Sequence, residues 1–165
     1  MVAADLPSAA VTARFARGLA TVVRAPMVIT LSGELGTGKT TVVRHVLRAM
    51  GVRDAVASPS FTLAQSYRGR GGTRLHHLDL YRLAPGDDVA LFAWDDYLGA
   101  DAVVFVEWPE AGAEELPPAD VGLRLYHTGR TARRAEAMAA PALESELFAA
   151  LKAAGVSARR VRVPS

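Results

Sequence analysis

The spacing of apolar residues divides the chain into amphipathic stretches and short continuous runs. Val11, Phe15 and Leu19 stand four apart behind Ser8, which predicts a serine-capped helix running to about residue 23. Met27–Ser32 (MVITLS) is a short branched apolar run and reads as a buried strand. Residues 40–50 carry Val43, Val46, Leu47 and Met50 on one side, a helical spacing that Gly51 ends. Residues 62–68 and 73–80, separated by Gly69-Arg70-Gly71-Gly72, predict a hairpin. Residues 87–98, with Val89, Leu91, Phe92 and Trp94, predict an amphipathic helix, and residues 114–118 a turn. Residues 102–106 (AVVFV) form an unbroken apolar run ending at Glu107, the pattern of a strand covered on both faces. Val121, Leu123 and Leu125 alternate with Gly122, Arg124 and Tyr126, and residues 132–138 return, which predicts a hairpin at a sheet edge. Beyond Pro141, Leu143, Leu147 and Leu151 repeat every four residues until Gly155 stops the helix. The last ten residues are expected to be loosely ordered.

Composition narrows the class. A length of 165 residues suits one domain with an extension. Half of the residues are hydrophobic, yet no apolar stretch reaches the roughly 18 residues of a membrane span. The N-terminus lacks the basic and apolar segments of a signal peptide, so a soluble, cytoplasmic protein is expected. The absence of cysteine excludes disulfides and thiolate metal sites. The net charge of +2 does not by itself imply nucleic acid. From Arg124 onward basic residues outnumber acids, a distribution open to RNA, to an acidic partner or to plain solvation. Of the 19 basic residues only Lys39 and Lys152 are lysines. A lysine in so arginine-rich a chain raises the question of what its position requires.

That lysine lies in GELGTGKT, where Gly33, Gly38, Lys39 and Thr40 complete a phosphate-loop pattern between a predicted strand and a predicted helix. Glycines let successive N–H groups point into one concavity, and the following helix adds its positive end. The expected nucleotide-binding set is Gly33, Glu34, Leu35, Gly36, Thr37, Gly38, Lys39, Thr40 and Thr41. Lys39 is expected to reach the β and γ phosphates, and the Thr40 hydroxyl to ligate Mg²⁺. Arginine is a poor substitute for Lys39, because a planar fork does not thread a tight loop as a slim ammonium does. The bland alternative is a flexible turn before a helix. No Asn/Thr-Lys-x-Asp step is present to read guanine, so ATP is the expected nucleotide.

A phosphate-loop enzyme needs an acid near its metal at the end of a neighbouring strand. Glu107, directly after AVVFV, and Asp79, in HHLDLYR, are the two candidates. One would bind Mg²⁺ and the other orient water, against the alternative that each is an ordinary strand-end acid. His76 and His77 are neighbours on a strand and face opposite ways, which argues for structural roles rather than chelation. Residues 58–62 (SPSFT) follow the first phosphate-loop helix, where nucleotide switches place a γ-phosphate-sensing loop.

Four blocks together, LSGELGTGKTT at 31–41, SPSFTL at 58–63, HLDLYRL at 77–83 and VEWP at 106–109, resemble the bacterial TsaE (YjeE) ATPases of tRNA threonylcarbamoyladenosine biosynthesis. The resemblance extends over about residues 6–138. It implies an α/β fold: a single phosphate-loop NTPase domain over residues 1–140, with a mixed, largely parallel central sheet flanked by helices and a C-terminal hairpin. Residues 141–165 form a helical extension and basic tail outside the matched region. It implies ATP binding and slow hydrolysis, Mg²⁺ held by Thr40 and Glu107, and catalytic roles for Lys39, Asp79 and Glu107. It implies an accessory ATPase supporting turnover of a TsaB–TsaD complex that forms t6A at adenosine 37 of tRNAs reading codons that start with A, with tRNA reached through the complex. Ser60 stands where the family's switch block usually has threonine. The 58–63 block and the basic C-terminal half, both outside the apparent core, are the expected partner surface. A small-molecule phosphate-loop kinase and an ATP-gated binding module remain as alternatives. A kinase would need an arginine lid, and Arg130, Arg133 and Arg134 lie instead in the predicted hairpin.

Overall fold

The structure, a computed structural model, describes residues 1–56, 59, 63–82, 94–112 and 116–162. Among them lie eight strands and three α-helices. In chain order these are β1 (Val2–Leu6), α1 (Ala9–Ala20), β2 (Met27–Ser32), α2 (Lys39–Ala49), β3 (Ala64–Arg68) and β4 (Arg74–Asp79). They continue with β5 (Ala102–Glu107), β6 (Val121–His127), β7 (Arg133–Ala139), α3 (Pro141–Ala153) and β8 (Ala158–Arg160). The strands form one sheet in the order β3-β4-β5-β2-β6-β7-β1-β8. The fold is therefore a single mixed α/β domain. β4, β5, β2 and β6 run parallel to their neighbours in the centre, and the remaining pairings are antiparallel.

Burial explains the strand sequences. All six residues of β5 are buried, as the unbroken AVVFVE run requires. Val103 and Phe105 join a core under the helices, with Phe15 and Leu19 of α1, Val43 and Leu47 of α2, and Leu147 and Leu151 of α3. Val104 and Val106 face the other way, into a smaller cluster with Val28, Leu78 and Leu80, covered by Trp94, Tyr97 and Trp108. Ser8 caps α1, accepting from the Val11 N–H at 3.4 Å. That helix ends at Ala20, short of residue 23.

Three expectations are corrected. The β6–β7 hairpin is not at a sheet edge, because β1 pairs with β7 and β8 pairs with β1. β1 escapes the sequence pattern because Val2, Ala3, Ala4 and Leu6 are all buried, leaving no polar alternation to read. The end of the chain is not loose over residues 158–160, which extend the sheet through β1, and Arg159 binds Asp5 at 3.0 Å. The C-terminal half does not lie outside the core either, since Leu123, Leu125, Ala135, Ala137 and the α3 leucines belong to the main cluster. The expected helix at 87–98 falls mostly outside the described residues, and Trp94–Asp96 is a single 3₁₀ turn. Residues 58 and 60–62 of the switch block, and 114–115 of the turn at 114–118, also lie outside them. No helix among the described residues is long and apolar enough to cross a membrane.

Leu147 is fully buried between α3 and the sheet. Leu147→Ala is expected to lower the unfolding free energy by about 2–5 kcal/mol, measured by urea denaturation. The exposed Lys152→Ala on the same helix should change it little.

Candidate functional site

The site is built where β4, β5 and β2 end side by side. At the end of β2 the chain turns at Gly33, whose φ is 131°. A Cβ there would stand 2.2 Å from the Leu125 carbonyl oxygen, so the loop passes β6 only because this residue is glycine. Gly36 and Gly38 also have positive φ, and Gly38 precedes the first turn of α2. Thr37 is buried and donates its hydroxyl to the Glu34 carbonyl at 2.8 Å, closing the loop on itself. The hairpin holds the loop from outside. His127 Nε2 donates to Leu35 O at 3.2 Å, and Arg133 Nη2 to Gly36 O at 3.1 Å.

Lys39 points back into this loop. Its ammonium donates to the carbonyls of Gly33 (2.6 Å) and Glu34 (3.1 Å) and lies 3.6 Å from the centroid of the Trp108 ring. A cation over an indole face is stabilised by the ring quadrupole. Burial holds the Lys39 ammonium below the usual lysine range, while the charges of Glu107, Glu110 and Asp79 act in the opposite direction. Trp108 reaches this position through a backbone φ of 58°, rare for a bulky residue and costing about 1–3 kcal/mol. Its N–H donates to Leu31 O at 3.1 Å, which ties the strained residue to β2, and Tyr81 packs on its ring at 4.7 Å.

The register of the sheet brings the acids together. β4 and β5 are parallel with Asp79 opposite Glu107, so both side chains stand on the α2 side. Glu107 Oε2 accepts from the Thr40 hydroxyl at 2.9 Å, and Oε1 from His77 Nε2 at 2.7 Å. Asp79 Oδ1 accepts from the Tyr81 N–H at 3.2 Å. Lys39, Thr40, Asp79 and Glu107 thus meet, as the sequence led one to expect, and with Gly36, Gly38 and Thr41 they line a hollow of about 400 Å³. A second hollow of about 300 Å³ continues past Gly36, Gly38 and Thr41 toward Thr12, Arg130 and Arg133. Gly33, Glu34 and Leu35 form the first part of the loop, and Thr37 its buried brace.

The two histidines diverge as expected. His76 Nδ1 pairs with Ser66 Oγ at 2.8 Å on the far face and meets Tyr97 edge-on. Among the described residues no group of three or more His, Cys, Asp or Glu side chains is placed to hold a metal. Sequence reasoning missed the His77–Glu107 bond, the Trp108 cover and the grip of His127 and Arg133. The period of two put His77 and Asp79 on one face, but nothing in the sequence stated the register of β4 on β5.

Gly33→Ala is expected to cost more stability than Gly38→Ala, because only the first adds a collision with Leu125 to the strain of positive φ. The difference should be at least about 1 kcal/mol in paired denaturant titrations.

A family profile described as "Threonylcarbamoyl adenosine biosynthesis protein TsaE" matches residues 6–135. The tRNA threonylcarbamoyladenosine biosynthesis protein TsaE of Streptomyces coelicolor is 43% identical over 110 residues, spanning 66% of this chain and 74% of that protein. TsaE of Haemophilus influenzae is 38% identical over 95 residues, 58% of this chain and 60% of that protein, so the match spans less than two thirds of that relative. TsaE of Treponema pallidum is 34% identical over 118 residues, 72% of this chain and 86% of that protein. The crystal structure of Bacillus subtilis YdiB aligns with a TM-score of 0.73 at 25% identity, over 93% of this chain and 97% of that one. With a family match over most of its length and relatives of this identity, the chain belongs to the TsaE family of tRNA threonylcarbamoyladenosine biosynthesis.

Proposed function

We propose that this chain is a Mg²⁺-dependent ATPase that serves t6A37 formation in tRNA by supporting turnover of a TsaB–TsaD complex in the cytoplasm. The observation that carries this reading is the 2.9 Å approach of the Thr40 hydroxyl and the Glu107 carboxylate at the rim of the glycine loop. These are two hard oxygen donors, and Mg²⁺ is commonly held by one or two protein oxygens together with substrate phosphates and water. The residues present therefore fit the ion. When bound, Mg²⁺ would neutralise charge developing on the phosphate oxygens.

The chain's own groups have separable roles in this reading. The N–H groups of residues 36–41 and the start of α2 cradle the phosphates. Lys39 exchanges the carbonyls of Gly33 and Glu34 for phosphate oxygens, which favours the charged ammonium more than its buried resting place does. Asp79, opposite Glu107 in register, orients the attacking water. The nucleoside extends along the second hollow, which shares Gly36, Gly38 and Thr41 with the first. Trp108 and Tyr81 cover the phosphate end from solvent. TsaB and TsaD homologues are the proposed partners, with tRNA engaged through their complex.

ATP hydrolysis by the purified chain, alone and with the matching TsaB and TsaD proteins, tests this reading. A low basal rate that rises with the pair is expected. Lys39→Ala should abolish tight ATP binding, and Glu107→Ala should lower turnover by at least about 100-fold, as loss of a group stabilising the transition state does. Unchanged affinity and rate in both variants would overturn the assignment. Transfer of phosphate to a nucleoside or other small acceptor would favour a kinase instead.

A further inference from the structure

His77 is fully buried, and its imidazole makes its hydrogen bond to the carboxylate that the proposed function assigns to the cation. In the β4–β5 register His77 lies opposite Phe105 and Asp79 opposite Glu107. Side chains two apart on a strand share a face, so His77 reaches forward along the sheet to Glu107. A carboxylate only accepts hydrogen bonds, so Nε2 carries the hydrogen. Glu107 is 2% exposed. A hydrogen bond to a carboxylate in so dry a place is strong and directional.

The other ring nitrogen distinguishes the possible roles. Nδ1 is buried and has no hydrogen-bond partner among the described residues. An unpaired buried polar atom is costly, and an apolar side chain of similar size would avoid that cost. Core filling therefore does not account for a histidine here. A proton relay does not account for it either, because no second group among the described residues continues the path from Nδ1. What remains is the bond from Nε2.

We propose that His77 is a positioning residue: it occupies Oε1 of Glu107 so that Oε2 alone faces the Thr40 hydroxyl and the incoming cation. The inference rests on the ATPase reading above. It carries a consequence for ion choice. Mg²⁺ demands near-octahedral geometry, whereas Ca²⁺ accepts both oxygens of one carboxylate. Tying Oε1 back favours one-oxygen ligation and hence Mg²⁺.

The test is calorimetric binding of a non-hydrolysable ATP analogue to the full chain in Mg²⁺, in Ca²⁺ and in EDTA, with melting temperatures recorded alongside. The chains compared are wild type, His77→Leu, His77→Gln and His77→Asn. The glutamine amide places a donor near the position of Nε2, and the asparagine amide stops near Nδ1. Affinity in EDTA should be similar in all four. The gain in affinity on adding Mg²⁺ should fall about 10-fold or more in His77→Leu and His77→Asn, the usual loss when a metal ligand loses its orienting partner. His77→Gln should recover most of it, and the preference for Mg²⁺ over Ca²⁺ should narrow in the leucine variant. A folded His77→Leu with the full Mg²⁺ gain would overturn the inference. Should the leucine variant not fold, equal gains in the glutamine and asparagine variants would overturn it. A wild-type chain whose nucleotide affinity ignores Mg²⁺ would overturn the ATPase reading and this inference with it.

Discussion

A carboxylate that is 2% exposed at the end of a central strand must find partners for both oxygens, and Glu107 finds them on two other elements. Thr40 reaches it from the first turn of α2, and His77 from β4. An isolated buried charge would be costly, so the requirement for partners fixes how these pieces sit relative to one another. The parallel register of β4 on β5 sets the height of His77 and Asp79 against Glu107. The pairing of β2 with β5 sets the height of the glycine loop against all three. The chemistry of the site is in this sense a consequence of strand alignment.

The loop itself is held from both sides. Inside, Lys39 and Thr37 bond to its carbonyls. Outside, His127 and Arg133 of the β6–β7 hairpin bond to the carbonyls of Leu35 and Gly36. Gly33 lies against the backbone of Leu125, so any side chain at this position would push the loop off β6. The carbonyls of Gly33, Glu34, Leu35 and Gly36 are taken up by side chains, which turns their negative ends away from an anion in the loop. That is the polarity an anion requires.

Trp108 shows strain kept for a local purpose. Its left-handed backbone turns the ring over Lys39, and its N–H returns to β2 through Leu31. The ring both shields the ammonium and belongs to the smaller apolar cluster behind the sheet. The site is thereby coupled to the packing of both faces.

Periodicity and motif spacing sufficed for β2, the glycine loop, α2, β5 and the β6–β7 hairpin, because each carries a local pattern that burial merely confirms. They also sufficed to nominate Lys39, Thr40, Asp79 and Glu107, since phosphate-loop chemistry restricts the residue types allowed at those places. They failed at β1 and β8, a small-residue strand and a short arginine-bearing one, whose order comes from each other and from β7. They failed equally at the His77–Glu107 bond, at Trp108 and at the grip of Arg133. The sequence by itself determined which groups were available and which face each would take within its own element. Only the tertiary structure decided which elements became neighbours and in what register, because hydrogen-bond pairing between distant strands leaves no trace in the local pattern of either one.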